Sequence, residues 1–152
     1  MKISMLLQNS MLINSMLFNY DAWHGIVKDD VQVLSRVDES LLQALLAAHS
    51  KTPKEALFLE SYQIPFRFIW ASKRLNVLHT ILKICKSEIT RKVVNPKIGD
   101  FVLKIKEDKS LINFELSDLQ IENMEKSRFQ CSVKSRVKSA AFAYLQEMQN
   151  NL

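Results

Sequence analysis

This chain predicts an all-α fold, an irregular bundle of about five to seven helices with no sheet, in a single helical domain over 1–152. Three observations point that way. Glycine occurs only twice and proline three times, too few for the turns that a sheet protein draws on. Apolar residues recur at spacings of three and four through Phe68, Ala71, Leu75, Leu78, Leu82 and Cys85, one continuous helical face. Helix-start signals punctuate the sequence, the clearest being Thr52-Pro53-Lys54-Glu55.

The elements follow in order. Met1–Phe18 reads as an amphipathic helix with Ile3, Leu6, Leu7, Ile13 and Leu17 toward a core. Its polar interruptions and lack of a small-residue cleavage site argue against a signal peptide. Asn19–Gly25 reads as a turn plugged by Trp23, a structural core residue. Asp29 and Asp30 open a helix running to about Ala48, with a break at Asp38. Acids in a first helical turn complement the helix dipole. Its apolar stripe is Val31, Leu34, Val37, Leu41, Leu42 and Leu45.

Thr52 to Glu55 predicts a capping box, with Pro53 at the first helical position where its missing N–H costs nothing. That helix runs to about Glu60. Pro65 restricts Ile64 to an extended conformation and starts the next helix, which reaches about Lys86. Arg67, Lys73, Arg74 and Lys83 lie off its main stripe. Residues 87–98 read as a basic connector, and Gly99-Asp100 as the cap of a helix whose Lys104, Lys106, Glu107, Asp108 and Lys109 form a solvated face. Ser117-Asp118-Leu119-Gln120 and Ser127-Arg128-Phe129-Gln130 predict two more capping boxes. The last helix carries Phe129, Val133, Val137, Ala140, Ala141, Tyr144, Leu145 and Met148, with Lys134, Arg136 and Lys138 as a basic patch.

The formal net charge of +5 permits nucleic acid or another anionic partner. Two cysteines, Cys85 and Cys131, fall at apolar helical positions and read as small buried hydrophobes in a reducing, intracellular setting (cytoplasm or nucleus), not a secreted one. The three histidines are far apart, so no metal site is expected, and no cofactor or small-molecule ligand. No membrane span is expected. No nucleophile–base pair or glycine-rich phosphate loop is visible.

Several spaced words resemble one family when taken together. They are Asn19 to Trp23, Val37-Asp38-Glu39 with Leu41-Leu42, Thr52 through Glu60, Ile64-Pro65-Phe66-Arg67-Phe68-Ile69, and Arg74 through Leu82. In order and spacing they resemble the helical, thumb-like region after the catalytic palm in reverse transcriptases of non-LTR (LINE-like) retrotransposons. Gly99-Asp100-Phe101 and the helix from Ser127 to Leu145 fit the same region, so the likeness covers nearly the whole chain. The sequence departs from the pattern with Asp21 where the family tends to carry Glu, and with Ser61-Tyr62-Gln63 where a glycine commonly follows.

The resemblance implies a non-catalytic fragment. The polymerase needs an aspartate pair on a hairpin, plus a third, to hold two metal ions, whereas Asp29-Asp30 sits at a helix start. No enzyme activity is expected of the chain on its own. The implied partners are RNA or DNA and the missing polymerase domains. Phosphate contacts would fall to Arg67, Lys73, Arg74, Lys83, Lys134, Arg136 and Lys138, and structural roles to Trp23, Thr52, Pro53, Glu55, Glu60 and Pro65. The alternatives are a helical protein-interaction module, with apolar faces left open by the absent polymerase body, or a non-functional remnant of an element.

Overall fold

A computed structural model of the chain describes residues 28–84 and 103–150. Six helices and no strand occur among the described residues. They are α1 (Lys28–Leu45), α2 (Lys54–Ser61), α3 (Phe66–Ile84), α4 (103–111), α5 (Asp118–Asn123) and α6 (Lys126–Asn150). The class is all-α, as the sparse glycine and the apolar spacing predict. The expected helix over 1–18, the Trp23 plug, Cys85, the 87–98 connector and the Gly99-Asp100 cap lie outside the described residues.

The chain divides into two compact units, Met1–Arg67 with Phe142–Leu152, and Phe68–Ala141. In the first unit, Leu42, Phe58 and Leu145 form a buried cluster with Leu59 and Tyr144 packed against it. Helix α1 runs unbroken through Asp38, which is 4% exposed, while Val37 is 49% exposed. Of the expected stripe, Leu42 is buried and Val31, Leu34, Leu41 and Leu45 are half-buried; only Val37 departs, its place taken by Asp38, which lies a full i to i+4 step before Leu42. Lys54 at the start of α2 pairs with Glu39 of α1. Pro65 is buried just ahead of α3, as expected of a helix-start proline, and Glu60 is exposed on α2.

The capping box at Thr52 does not form. Helix α2 begins at Lys54, with Pro53 at the N-cap in an extended conformation (φ −57, ψ 139) and no side-chain cap. The reason is local. In a capping box Glu55 would accept from the amide of Thr52, and that amide already donates to the carbonyl oxygen of His49 at 2.9 Å. The turn over 49–52 has taken the donor.

Three helix ends close in the same way, each without glycine. After α1, Ala47 N–H donates to Ala44 O and Ala48 N–H to Gln43 O. After α2, Tyr62 N–H donates to Leu59 O and Gln63 N–H to Phe58 O. After α4, Asn113 N–H donates to Ser110 O and Phe114 N–H to Lys109 O. Each pair is the Schellman arrangement, and it needs a left-handed residue at its centre. Ala47 (φ 48), Tyr62 (φ 55) and Asn113 (φ 51) take that role. Asparagine tolerates the conformation, whereas alanine and tyrosine bear a Cβ clash.

In the second unit, Trp70, Leu75, Ile112, Ile121, Phe129 and Val133 are fully buried. His79, also buried, stacks on Phe129 with centroids 4.7 Å apart, and Phe114 meets Phe129 edge-on at 5.8 Å. His79 Nε2 lies 2.9 Å from the carbonyl oxygen of Met124. A carbonyl only accepts, so Nε2 carries the proton. Helix α5 opens with the predicted capping box: Ser117 accepts from Gln120 N–H, and the Gln120 side chain accepts from Ser117 N–H. The box predicted at Ser127 is replaced. Phe129 N–H donates to Glu125 O, so α6 has already begun at Lys126 and Ser127 lies inside its first turn.

Ala47→Gly should raise stability by about 0.5–1 kcal/mol, the relief of the left-handed Cβ clash less the added freedom of the unfolded chain. Urea-denaturation midpoints measure this; a midpoint that falls would show that the clash is already relaxed.

Candidate nucleic-acid interface

The seven cations singled out from sequence separate into an inner and an outer group. Arg67 is half-buried in the first unit, its guanidinium carbon 3.8 Å from the centroid of the Tyr144 ring. That distance is a close cation–π contact. In the second unit, Arg74 reaches Asp108 of α4: Nη2 donates to Oδ1 at 2.8 Å and Nε lies 2.6 Å from Oδ2. The second approach is too bent to count as a hydrogen bond and acts through charge. Both side chains are largely buried, at 16% and 5% exposure. Lys73 is half-buried, while Lys83, Lys134, Arg136 and Lys138 are exposed.

Asp108 was expected on a solvated face. Instead Asp108 is buried on the side of α4 that carries buried Ile105, one turn before buried Ile112 just past the helix end. Burial raises its carboxyl from 3.8 to about 6, partly offset by the charge and hydrogen bond of Arg74. This pairing removes Arg74 from the side chains open to a phosphate.

Apart from Lys83 on α3, the outer group lies on α6, and the organisation of that helix was missed by sequence reasoning. Phe129, Val133, Val137, Ala141 and Leu145 are buried, every fourth residue. On a helix of 3.6 residues per turn, the residues one, two and three places after each buried one lie about 100°, 200° and 300° round the axis. Within 126–141 the first row holds Lys126, Gln130, Lys134 and Lys138. The second, opposite the buried row, holds Ser127, Cys131, Ser135 and Ser139. The third holds Arg128, Ser132, Arg136 and Ala140. Lysines thus run along one flank, arginines along the other, and small residues along the outer crest.

Lys134 and Arg136 consequently do not form one patch; they stand on opposite flanks. Cys131, expected in the core, is exposed on the crest because it follows Phe129 by two residues. Lys126 and Arg128 belong to the same rows and were overlooked. The signal was present as the repeated triplet Lys-Ser-Arg at 126–128 and 134–136. From 126 to 138 the helix carries five cations, all exposed, and no acid.

Among the described residues no group of His, Cys, Asp and Glu comes together that could hold a metal ion, and no helix is long and apolar enough to cross a membrane. No family model matches the chain, and no curated protein or solved structure matches it.

The raised Asp108 carboxyl has a signed consequence. Between about pH 6 and 3.8 the folded chain holds a proton there that the unfolded chain has lost. This group's contribution to stability therefore grows as pH falls through that window and shrinks as pH rises. Relative to Asp108→Asn, the wild type should gain stability between pH 7.5 and 4.5, read from urea midpoints of both proteins at the two pH values. A difference independent of pH would show that Arg74 holds the carboxyl ionised throughout.

Proposed function

We propose that this chain binds the phosphate backbone of nucleic acid through α6, as a non-catalytic piece of the helical region that follows the palm in non-LTR retrotransposon reverse transcriptases, which its sequence resembles. The observation that carries the reading is the run of five exposed cations without an acid over residues 126–138. Phosphate contact needs little beyond clustered positive charge held on a rigid element, and it is sequence-independent. Arg67 and Arg74, which the resemblance also offered, have internal partners and are left out of the contact set. Lys83, exposed in the last turn of α3, remains in it.

A second reading has one observation of its own. Val33 and Val37, one turn apart on α1, are 54% and 49% exposed. Such an apolar stripe suits a protein partner, and the absent polymerase domains would supply one.

Fluorescence anisotropy with a labelled duplex tests the first reading. Affinity should fall steeply as salt rises. Replacing Lys134, Arg136 and Lys138 together by Gln should lower the slope of log K against log salt by about 2–3, close to one released counterion per lost contact. Absence of binding at low salt, or binding indifferent to salt, would overturn it. Nucleotide addition to a primer by the purified chain would overturn the non-catalytic part.

A further inference from the structure

The three-row arrangement of α6 narrows the class of nucleic acid. We propose that α6 seats in the major groove of B-form duplex DNA, its lysine row against the phosphates of one strand and its arginine row against those of the other. The inference rests on the phosphate-binding reading above and adds to it a shape.

The crest carries the geometric weight. Ser127, Cys131, Ser135 and Ser139 are all exposed, and none extends beyond one heavy atom past Cβ. The helix is therefore slim on its outward side and wide across its flanks, where each lysine stands about 160° round the axis from the arginine two residues away: Lys126 from Arg128, and Lys134 and Lys138 from Arg136. A helix with side chains is about 10–12 Å across, and the major groove of B-DNA is about 12 Å wide and 8.5 Å deep. A small crest lets the backbone approach the groove floor while long cations reach sideways to the two walls. The stretch from 126 to 139 is about 20 Å long, so the rows extend along the groove over several base pairs.

Other nucleic acids fit the same rows less well. The major groove of A-form RNA is too narrow and deep to admit a helix, so one flank would be left without phosphates. A single strand offers one backbone to two opposed rows. It is also held in large part by stacking on aromatic side chains, and the one aromatic between 126 and 139, Phe129, is buried. The crest presents no Arg, Asn or Gln toward base edges, so the contact should be tolerant of sequence.

The test uses the full chain and three labelled probes of equal length at one salt concentration: a DNA duplex, an RNA duplex and single-stranded DNA. The DNA duplex should bind about tenfold tighter than either of the others, as groove width requires. Ser135→Tyr places a bulky ring on the exposed crest, where helix content by circular dichroism should be unchanged. It should weaken DNA-duplex binding about tenfold and leave RNA-duplex binding alone, because only a seated crest meets the groove floor. Bound protein should also shield guanine N7, a major-groove atom, from methylation by dimethyl sulfate. Equal affinity for the RNA duplex, preference for the single strand, or indifference to Ser135→Tyr would overturn the groove and leave the phosphate reading standing. No binding to any probe, or equally tight binding to polyglutamate, would overturn both.

Discussion

The four-residue apolar period of α6 is the constraint on which the rest of this structure turns. Phe129, Val133, Val137 and Ala141 are buried because they repeat at a step close to one helical turn. Once that row faces inward, the position of every other residue on the helix follows. The lysines have one flank open to them, the arginines the other, and the serines the crest. Packing and charge display are the same feature seen from two sides. A single inserted residue within 126–141 would turn everything beyond it by about 100° and bring a row of cations toward the core.

Charge inside the molecule obeys a different rule from charge outside it. Arg74 and Asp108 are both withdrawn from water, so each depends on the other; removing one partner of such a pair typically costs about 3–5 kcal/mol, far more than the pair contributes over apolar residues of similar shape. The raised carboxyl of Asp108 shows that burial outweighs the attraction of its arginine. Its pairing ties α3 to α4 within the second unit. Arg67 lies instead over the face of Tyr144. Position along a sequence does not reveal this distinction, because an arginine off an apolar stripe can turn to solvent or to a buried acid.

That limit marks what the sequence made legible. The all-α class, the central apolar face of α3, the start of α3 after Pro65 and the box at Ser117 follow from spacing and local chemistry, and they are observed. The failures share a cause. Val37 and Asp38 exchange their expected places because two overlapping stripes on α1 are both apolar enough to face inward, and only packing selects between them. Thr52 and Ser127 have the side chains of caps, yet a turn bond at Thr52 and an earlier helix start at Lys126 had already satisfied the amides concerned. Of the candidate interface, Lys134, Arg136 and Lys138 were visible as charges; their division between two flanks was not, because a run of cations read as a patch discards the helical angle.

The outward charge of α6 is itself unfavourable to the isolated chain. Lys134 and Lys138 are one turn apart, and like charges at that spacing cost a helix about 0.2–0.5 kcal/mol. The segment from 126 to 138 contains no acid beside its five cations, although the same chain pairs Lys109 with Asp118 and Lys54 with Glu39 elsewhere. The helix tolerates that repulsion because the buried row holds it in place. A polyanion laid along the flanks would replace repulsion by attraction without moving a packed residue, and would displace its own counterions in doing so. The stability given up in the free helix would then reappear as binding energy, which ties the strength of the interface to the rigidity of the apolar row beneath it.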